Sequence, residues 1–413
     1  MSLEENIAQQ QMITEYQGKI QNRELFISGP QIIESFTFVS FLDIQKLSIK
    51  YPFNIQHVSQ ISNDNVTELL ISGCKIDSVA EFEFERLQIL HLIDDELAED
   101  SLVDISKFAK LIELDLSYNK KTGISHLQTL VHLKKLCLCG MGLKDISALA
   151  HMAGLEELNL KFIKGVCIAP LQHLVQLINL NLYEAQLTDI EVLGQLRNIQ
   201  YLDVSYNPDI DLSPLLGLKL LSSLTLLGNN VKDLAIISQL TALQELNMSF
   251  NRGVNIHNIS RLSRLVKLTC YGNGIYDLSE LRSLKNLAEL DLSYNSVFDI
   301  SPLQYLQNLN TVNLYVNLQQ NFITDFSPLQ KRNTFKITFG KQQRASVSEI
   351  LFWKKLNAIK INSKRIINCF EFIFESKFKT KVNCVLQKQY CEHKLFSQIL
   401  VQLFAQADNQ NQQ

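Results

Sequence analysis

A 22-residue period runs through most of this chain and constrains its fold more than any other feature. The hexapeptide LDLSYN at residues 114–119 returns unchanged at 290–295, and a near copy, LDVSYN, stands at 202–207. Regular copies of the pattern L-x-x-L-x-L-x-x-N begin at Leu111, Leu133, Leu155, Leu177, Ile199, Leu221, Leu243, Leu265, Leu287 and Leu309. Looser copies begin at Asn22, Ile44, Val66 and Leu87. A fixed period of this length predicts a repeat architecture, here of about thirteen or fourteen units.

Each unit contains one short strand and one return segment. The alternation L-x-L predicts a strand with a single buried face, which is too short to bury that face alone. Stacking the units in register would bury it, in a parallel sheet backed by a continuous leucine core. We expect the Asn at the ninth position to turn the chain and to satisfy backbone groups that the turn leaves unpaired.

These residues resemble the leucine-rich repeat family. The 22-residue length and the DISPL type of second half, at 299–303, are similar to its short subclass, which includes the regulatory subunit of type-1 protein phosphatase and the ligand-binding region of bacterial internalins. The resemblance covers about residues 22–330. It implies an α/β solenoid, a curved right-handed horseshoe with a parallel concave sheet and function determined by its surface sites.

Several units depart from the pattern at the ninth position. The residues found there instead of Asn are Pro30, Pro52, Cys74, Asp95, Met141, Ile163 and Ala185. We expect the Asn ladder to be weaker or differently satisfied at these units. The last regular unit, beginning at Leu309, has Asn317 at the ninth position and a second Asn at 321. This spacing predicts a four-residue insertion after Asn317.

The units also alternate in their loops, so part of the period is 44 residues. Most put an apolar residue two positions after the ninth, as at Leu187 and Val231, whereas the units beginning at 155, 199 and 243 put it three positions after. Duplication of a two-unit block is the simplest origin of such alternation.

Charge divides the chain into regions. Residues 331–413 carry 15 Lys and Arg against 5 Asp and Glu, a net charge of +10, whereas the remaining residues carry 24 against 37, a net charge of −13. Apolar residues at helical spacing in 346–361 and 390–407 predict helices there. We therefore predict an N-terminal helical cap (1–21), the solenoid (22–330) and a basic, mainly helical C-terminal region and cap (331–413).

Several classes of function have no support in the sequence. The N-terminus is polar and acidic, unlike a signal peptide, and no apolar run is long enough for a transmembrane span. The eight cysteines form no C-x-x-C pair, which favours reduced thiols and a cytoplasmic or nuclear location. No phosphate loop, nucleophile elbow or zinc-binding H-E-x-x-H motif is present, so we predict no catalytic residues, no metal, no cofactor and no enzymatic activity.

Residues between the leucines should point to the concave surface, since side chains alternate across a strand. That surface is predicted to be acidic and edged by aromatic rings at the strand ends, a composition typical of protein interfaces. The acidic candidates for partner binding are Glu113, Asp115, Glu157, Asp203, Glu245, Glu289 and Asp291. The aromatic candidates are Tyr118, Phe162, Tyr183, Tyr206, Phe250, Tyr271 and Tyr294, with Tyr315 at the end of the row.

Three hypotheses follow for function. The first is a non-enzymatic scaffold that binds a protein partner, with basic character favoured, on this acidic–aromatic face. The second, implied by the resemblance, is a regulatory subunit that contacts a phosphatase catalytic subunit; the short sequence KITF at 336–339 resembles a docking motif of phosphatase partners. The third is contact between the basic C-terminal region and nucleic acid or an acidic membrane, although no nucleic-acid motif is visible.

Overall fold

The computed structural model describes residues 10–15, 19–28, 36–50, 61–74, 76, 78–97, 100–120, 123–306, 315–317, 321, 323 and 336–338. Over these residues the chain forms one parallel sheet of fifteen strands, in which each strand pairs with the next in sequence. The strands are β1 Glu24–Ser28, β2 Lys46–Lys50, β3 Glu68–Ser72, β4 Ile89–Ile93, β5 Glu113–Asp115, β6 Lys135–Cys137, β7 Glu157–Asn159, β8 Asn179–Asn181, β9 Tyr201–Asp203, β10 Ser223–Thr225, β11 Glu245–Asn247, β12 Lys267–Thr269, β13 Glu289–Asp291, β14 Tyr315–Asn317 and β15 Lys336–Thr338.

Short 3-10 segments carry the chain back from one strand to the next. Those in the described residues are Thr37–Phe41, Val103–Lys107, Ser125–Thr129, Ser147–His151, Ala169–His173, Glu191–Gln195, Ser213–Gly217, Ile237–Gln239, Ile259–Arg261, Ser279–Ser283 and Ser301–Tyr305. Many follow an Asx turn, as where Asp211 Oδ1 accepts the Ser213 N–H at 2.9 Å. A unit of 22 residues leaves room for only this tight, short helical form on its return path.

Leucines inside the sheet form one continuous core. In β10, Leu224 has no exposed surface, whereas Ser223 and Thr225 on either side of it are partly exposed; Leu226, directly after the strand, is again fully buried. The cluster of packed buried residues runs from Leu25 to Ile323. The period-two burial predicted for L-x-L is therefore confirmed from β1 to β13, except in β2, where Ser48 is also buried.

Buried asparagines at the ninth position hold successive units together. Asn207 is fully buried, and its Nδ2 donates to the carbonyls of Leu182 at 2.9 Å and Val204 at 2.8 Å. Its Oδ1 accepts the N–H of Leu187 at 3.0 Å. This role of Asn confirms the predicted ladder. Where Ala185 replaces Asn the position stays buried, and its own carbonyl accepts the N–H of Gly165 at 2.9 Å.

The register of the fourteenth strand differs from the prediction. Tyr315, not Thr311, pairs with Glu289, so the four extra residues precede β14 and do not follow Asn317. Asn321 is the ladder residue: it is buried, accepts the Val297 N–H at 3.0 Å and donates to the Leu292 carbonyl at 2.7 Å. The unit start at Leu309, Asn317 as ladder residue and Tyr315 as a strand-end aromatic were therefore wrong.

The sheet also continues past the predicted end of the solenoid at residue 330, because Lys336–Thr338 pair with β14 as the fifteenth strand. At the other end, residues 10–15 are helical, and Met12 and Ile13 pack against the core. Residues 1–9 and 16–18 of the predicted N-terminal cap and the helices predicted at 346–361 and 390–407 lie outside the described residues.

Candidate functional site

Position three of each unit forms a row of side chains across the concave sheet, and several predicted acidic residues in this row contact a basic neighbour. The pairs are His91–Glu113 at 2.8 Å, Lys135–Glu157 at 2.9 Å and Lys267–Glu289 at 3.2 Å. Glu245 lies beside Ser223, whose Oγ donates to it at 3.4 Å. Cross-strand pairing at a spacing of 22 residues therefore offsets part of the predicted negative charge, at Glu157 and Glu289. Pairs this exposed contribute about 0–1 kcal/mol each to stability.

Aspartates at position five close the turn that follows the strand. Asp115, Asp203 and Asp291 each accept the N–H of the serine two residues later at 2.9 Å. In two of the units the serine hydroxyl donates to the same carboxylate. These aspartates hold the strand end in shape, and their partly exposed carboxylates keep negative charge on the concave side.

Aromatic residues occupy position eight in every second unit, at the carboxyl ends of the strands. Tyr118, Phe162, Tyr206, Phe250 and Tyr294 all have left-handed backbone, with φ between 54° and 66°. Phe250 and Tyr294 are 51% and 48% exposed. A left-handed conformation at a bulky residue is strained and needs support from its surroundings.

Three of the four intervening units supply that support with glycine at the same position, whereas the unit after Phe162 has Glu184 there, with φ 50°. A Cβ added to Gly228 would lie 2.8 Å from Tyr206 Cε1, and one added to Gly140 would lie 2.8 Å from Tyr118 Cδ1. At Gly272 the corresponding distance to Phe250 Cδ1 is 3.4 Å. The rings of Tyr118, Tyr206 and Phe250 therefore pack against a glycine of the next unit, which gives the alternation at position eight a packing basis.

Two aromatic triads stand along this edge. The first triad is Phe162, Tyr183 and Tyr206, with successive ring centroids 5.4 and 5.1 Å apart. The second triad is Phe250, Tyr271 and Tyr294, with centroids 4.8 and 4.7 Å apart. Edge-to-face and tilted contacts at these distances are favourable for aromatic rings. The structure thus brings together six of the seven aromatic candidates.

Tyr118, the seventh, lies apart from both triads and contacts Cys139, whose Sγ is 3.6 Å from the tyrosine hydroxyl. That hydrogen bond raises the pKa of Tyr118. On the neighbouring strand, burial raises the pKa of Cys137 to about 11, although the Ser117 hydroxyl 3.0 Å away opposes the shift. A thiol with a raised pKa is a poor nucleophile, so Cys137 is not suited to catalysis.

Sequence reasoning missed two features of this face. Lys161 places its ammonium 4.9 Å from the Phe162 ring centroid and 4.3 Å from that of Tyr183. Tyr201, in the middle of the position-three row, is 49% exposed. Lys161 could have been noticed as the one lysine at position seven of the regular units beginning at 111 to 287, a position that holds serine in the SYN and SFN units.

Over the described ranges, no group of three or more His, Cys, Asp or Glu side chains could hold a metal ion. Across the same ranges, none of the helices has the length and hydrophobicity needed to span a bilayer.

A parallel sheet of 22-residue units, 3-10 return segments and a buried Asn ladder together define a leucine-rich repeat protein. Solved structures place it among horseshoe solenoids. An internalin from Listeria monocytogenes is 25% identical with a TM-score of 0.61, and the match covers 72% of this chain and 88% of the internalin.

Two further structures share the fold. A leucine-rich repeat protein from Leptospira interrogans is 21% identical with a TM-score of 0.60, over 79% of this chain and 88% of that one. The functional domain of InlJ from Listeria monocytogenes, which includes a cysteine ladder, is 22% identical with a TM-score of 0.51, over 73% and 69% of the two chains. No protein-family model matches the sequence, and no curated protein matches it.

Proposed function

We propose that this chain is a non-enzymatic interaction scaffold that binds a protein partner on the concave sheet and its aromatic edge. The leucine-rich repeat neighbours support an interaction scaffold in general terms. The observation that carries the proposal here is the row of exposed rings, including Phe250 and Tyr294 at 51% and 48% exposure. Large aromatic side chains held rigidly at a surface are typical anchors of protein interfaces.

The size of the face suits a protein partner. Fifteen strands at about 4.8 Å spacing give a surface about 70 Å long. A standard protein interface buries about 1,600 Å² in total, which a surface of this length can supply. A small molecule would use only a fraction of it.

Charge favours a partner with basic character. Asp115, Asp203 and Asp291 keep their carboxylates at the concave strand ends. Charges of this kind steer association and select partners more than they add affinity. The aromatic rings beside them would supply most of the binding energy.

The test is affinity capture from a native lysate with the intact chain, with Tyr206→Ala/Tyr294→Ala, and with the control Tyr276→Ala/Tyr305→Ala. The control removes two tyrosines that are 65% and 51% exposed but lie outside the sheet. We expect the intact chain and the control to recover the same protein, and the first variant to lose it, since each hot-spot ring contributes roughly 2 kcal/mol. Equal recovery by all three chains would refute binding on the aromatic edge.

Within the described residues, no observation favours the alternative of a phosphatase regulatory subunit. The first three residues of the KITF sequence form strand β15 and pair with β14, so they are engaged in the sheet. The alternative of nucleic-acid or membrane contact concerns a region that lies mostly outside the described residues.

A further inference from the structure

The two aromatic triads are copies of one arrangement. Each residue of the second triad stands 88 residues after its counterpart: Phe250 after Phe162, Tyr271 after Tyr183 and Tyr294 after Tyr206. Both sets pack ring to ring along the carboxyl ends of three consecutive strands. The chain therefore contains two copies of the same site, which can be compared residue by residue.

The copies differ in a cation. In the first triad the ammonium of Lys161 lies 4.9 Å from the Phe162 centroid and 4.3 Å from the Tyr183 centroid, within the range of cation–π attraction. The equivalent position of the second triad is Ser249. Among the described residues, no lysine or arginine makes a cation–π contact with Phe250, Tyr271 or Tyr294.

We infer that the second triad is the recognition site for an arginine or lysine side chain of the protein partner, and that Lys161 closes the first triad to such a ligand. This inference rests on the proposed function, to which it adds the chemistry of the partner and the place of contact. By this inference, the ammonium of Lys161 in the first triad marks the position that the partner's cation takes in the second triad.

The surroundings of the second triad suit a cation. Phe250 and Tyr294 expose about half of their surface, so a side chain from outside can reach the rings. Asp291 belongs to the same strand end, and its carboxylate closes the turn before Tyr294. Partial burial is the main cause that raises the pKa of Tyr271, and Tyr294 and Asp291 add smaller contributions.

The local backbone explains why the two copies carry different residues. In the second triad the Ser249 hydroxyl accepts the N–H of Tyr271 at 3.1 Å. In the first triad Asn181 Oδ1 accepts the equivalent N–H, that of Tyr183, at 3.0 Å. Thr269 stands where Asn181 would be. A lysine at position 249 therefore needs an asparagine at 269 to keep this hydrogen bond.

This coupling defines the variants of the test. Ser249→Lys/Thr269→Asn copies the first triad into the second and should close it. Thr269→Asn alone is the matched control and leaves the second triad open. Lys161→Ser removes the cation from the first triad, where Asn181 still satisfies the backbone, and should open a second site.

The measurement is NMR of the full chain with labelled tyrosine rings, titrated with the peptide acetyl-Gly-Arg-Gly-amide and with its uncharged citrulline twin. We expect the arginine peptide to shift Tyr271 and Tyr294 and to bind about three- to thirtyfold more tightly than the citrulline peptide. The shifts should persist in Thr269→Asn and vanish in Ser249→Lys/Thr269→Asn. In Lys161→Ser, Tyr183 and Tyr206 should shift as well.

Equal binding of the two peptides, no binding of the arginine peptide, or undiminished binding to the double variant would overturn the inference. If circular dichroism shows that the double variant does not fold, the titration of Lys161→Ser tests the inference instead. Absence of new shifts at Tyr183 in that variant would refute the role of Lys161. Partner capture separates the two proposals. Loss with Tyr206→Ala/Tyr294→Ala but normal capture by Ser249→Lys/Thr269→Asn would leave the proposed function standing and the inference refuted.

Discussion

At the scale of single residues, Asp95 is the clearest conflict between sequence and environment. It occupies a ladder position, fully buried, with Oδ1 accepting the Cys74 N–H at 2.7 Å and Oδ2 left without a hydrogen-bond partner among the described residues. One unit later, Nδ2 of Asn119 donates to two backbone carbonyls. A carboxylate has no such donor, and burial raises the pKa of Asp95 to about 8. The protonated acid is the form that most resembles the missing asparagine.

We therefore predict that Asp95→Asn stabilises the protein, with a gain that depends on pH. The folded pKa of Asp95 lies above its ordinary value of 3.8, so the native chain is most stable when this group is protonated in both states, below about pH 4, and loses stability as pH rises through about 8. The gain from Asp95→Asn should be smallest near pH 4 and reach about 2–4 kcal/mol near pH 8.

Urea unfolding at pH 5, 7 and 8.5 measures this gain. The control is Asp94→Asn, which removes an exposed neighbouring carboxylate. Asp94 raises the pKa of Asp95 less than burial does, so this substitution should give a much smaller gain in stability than Asp95→Asn at each pH. A difference between Asp95→Asn and the native chain that does not vary with pH would contradict a titrating Asp95.

At the scale of elements, the loop at the end of each strand packs against the corresponding loop of the next unit. A ring at position eight of one unit lies over a residue with left-handed backbone in the next, as Tyr206 lies over Gly228. Glycine adopts that backbone without strain and leaves room for the ring. The ring in turn covers a backbone turn that would otherwise face solvent.

Substitution of the glycine under the ring tests this pairing. We predict that Gly228→Ala destabilises the protein by about 2–4 kcal/mol, because it adds backbone strain at φ 65° and a methyl group 2.8 Å from the Tyr206 ring. The control Gly142→Ala has the same kind of backbone, φ 67°, but open space around the new methyl. It should cost only about 1–2 kcal/mol.

Urea unfolding of the two variants gives the difference, and NMR of the Tyr206 ring should show a displaced signal in Gly228→Ala alone. Equal destabilisation by both substitutions would mean that the contact between ring and glycine does not matter.

The sequence predicted the strands well because each rests on local spacing: Leu114 and Leu116 alternate, and burial follows the alternation. The same spacing failed at the fourteenth strand, since Asn317 and Asn321 both fit the ninth position. Only in-register pairing of Tyr315 with Glu289 decides between them. Lys161 was missed for another reason: its place over two rings depends on side-chain conformation, which a repeat pattern does not specify.

At the scale of the whole molecule, the solenoid is nearly one-dimensional. Each strand pairs only with its neighbours in sequence, from β1 to β15, so stability is expected to be a sum of unit terms and neighbour interfaces. The rows of the concave face run the length of this array. Damage to one unit should therefore spread to adjacent units and fade with distance, while remote parts of the face keep their shape.

The last prediction concerns Leu224, which is fully buried in the middle of the sheet. Leu224→Ala leaves a cavity and should cost about 2–5 kcal/mol, with faster hydrogen exchange of backbone amides in β9, β10 and β11 and unchanged exchange in β2 and β3. Leu220→Ala, at a position that is 53% exposed, is the nearby control and should stay within about 0.5 kcal/mol of the native chain. Uniformly faster exchange across all described strands would contradict neighbour-limited coupling and would mean that the array unfolds as one unit.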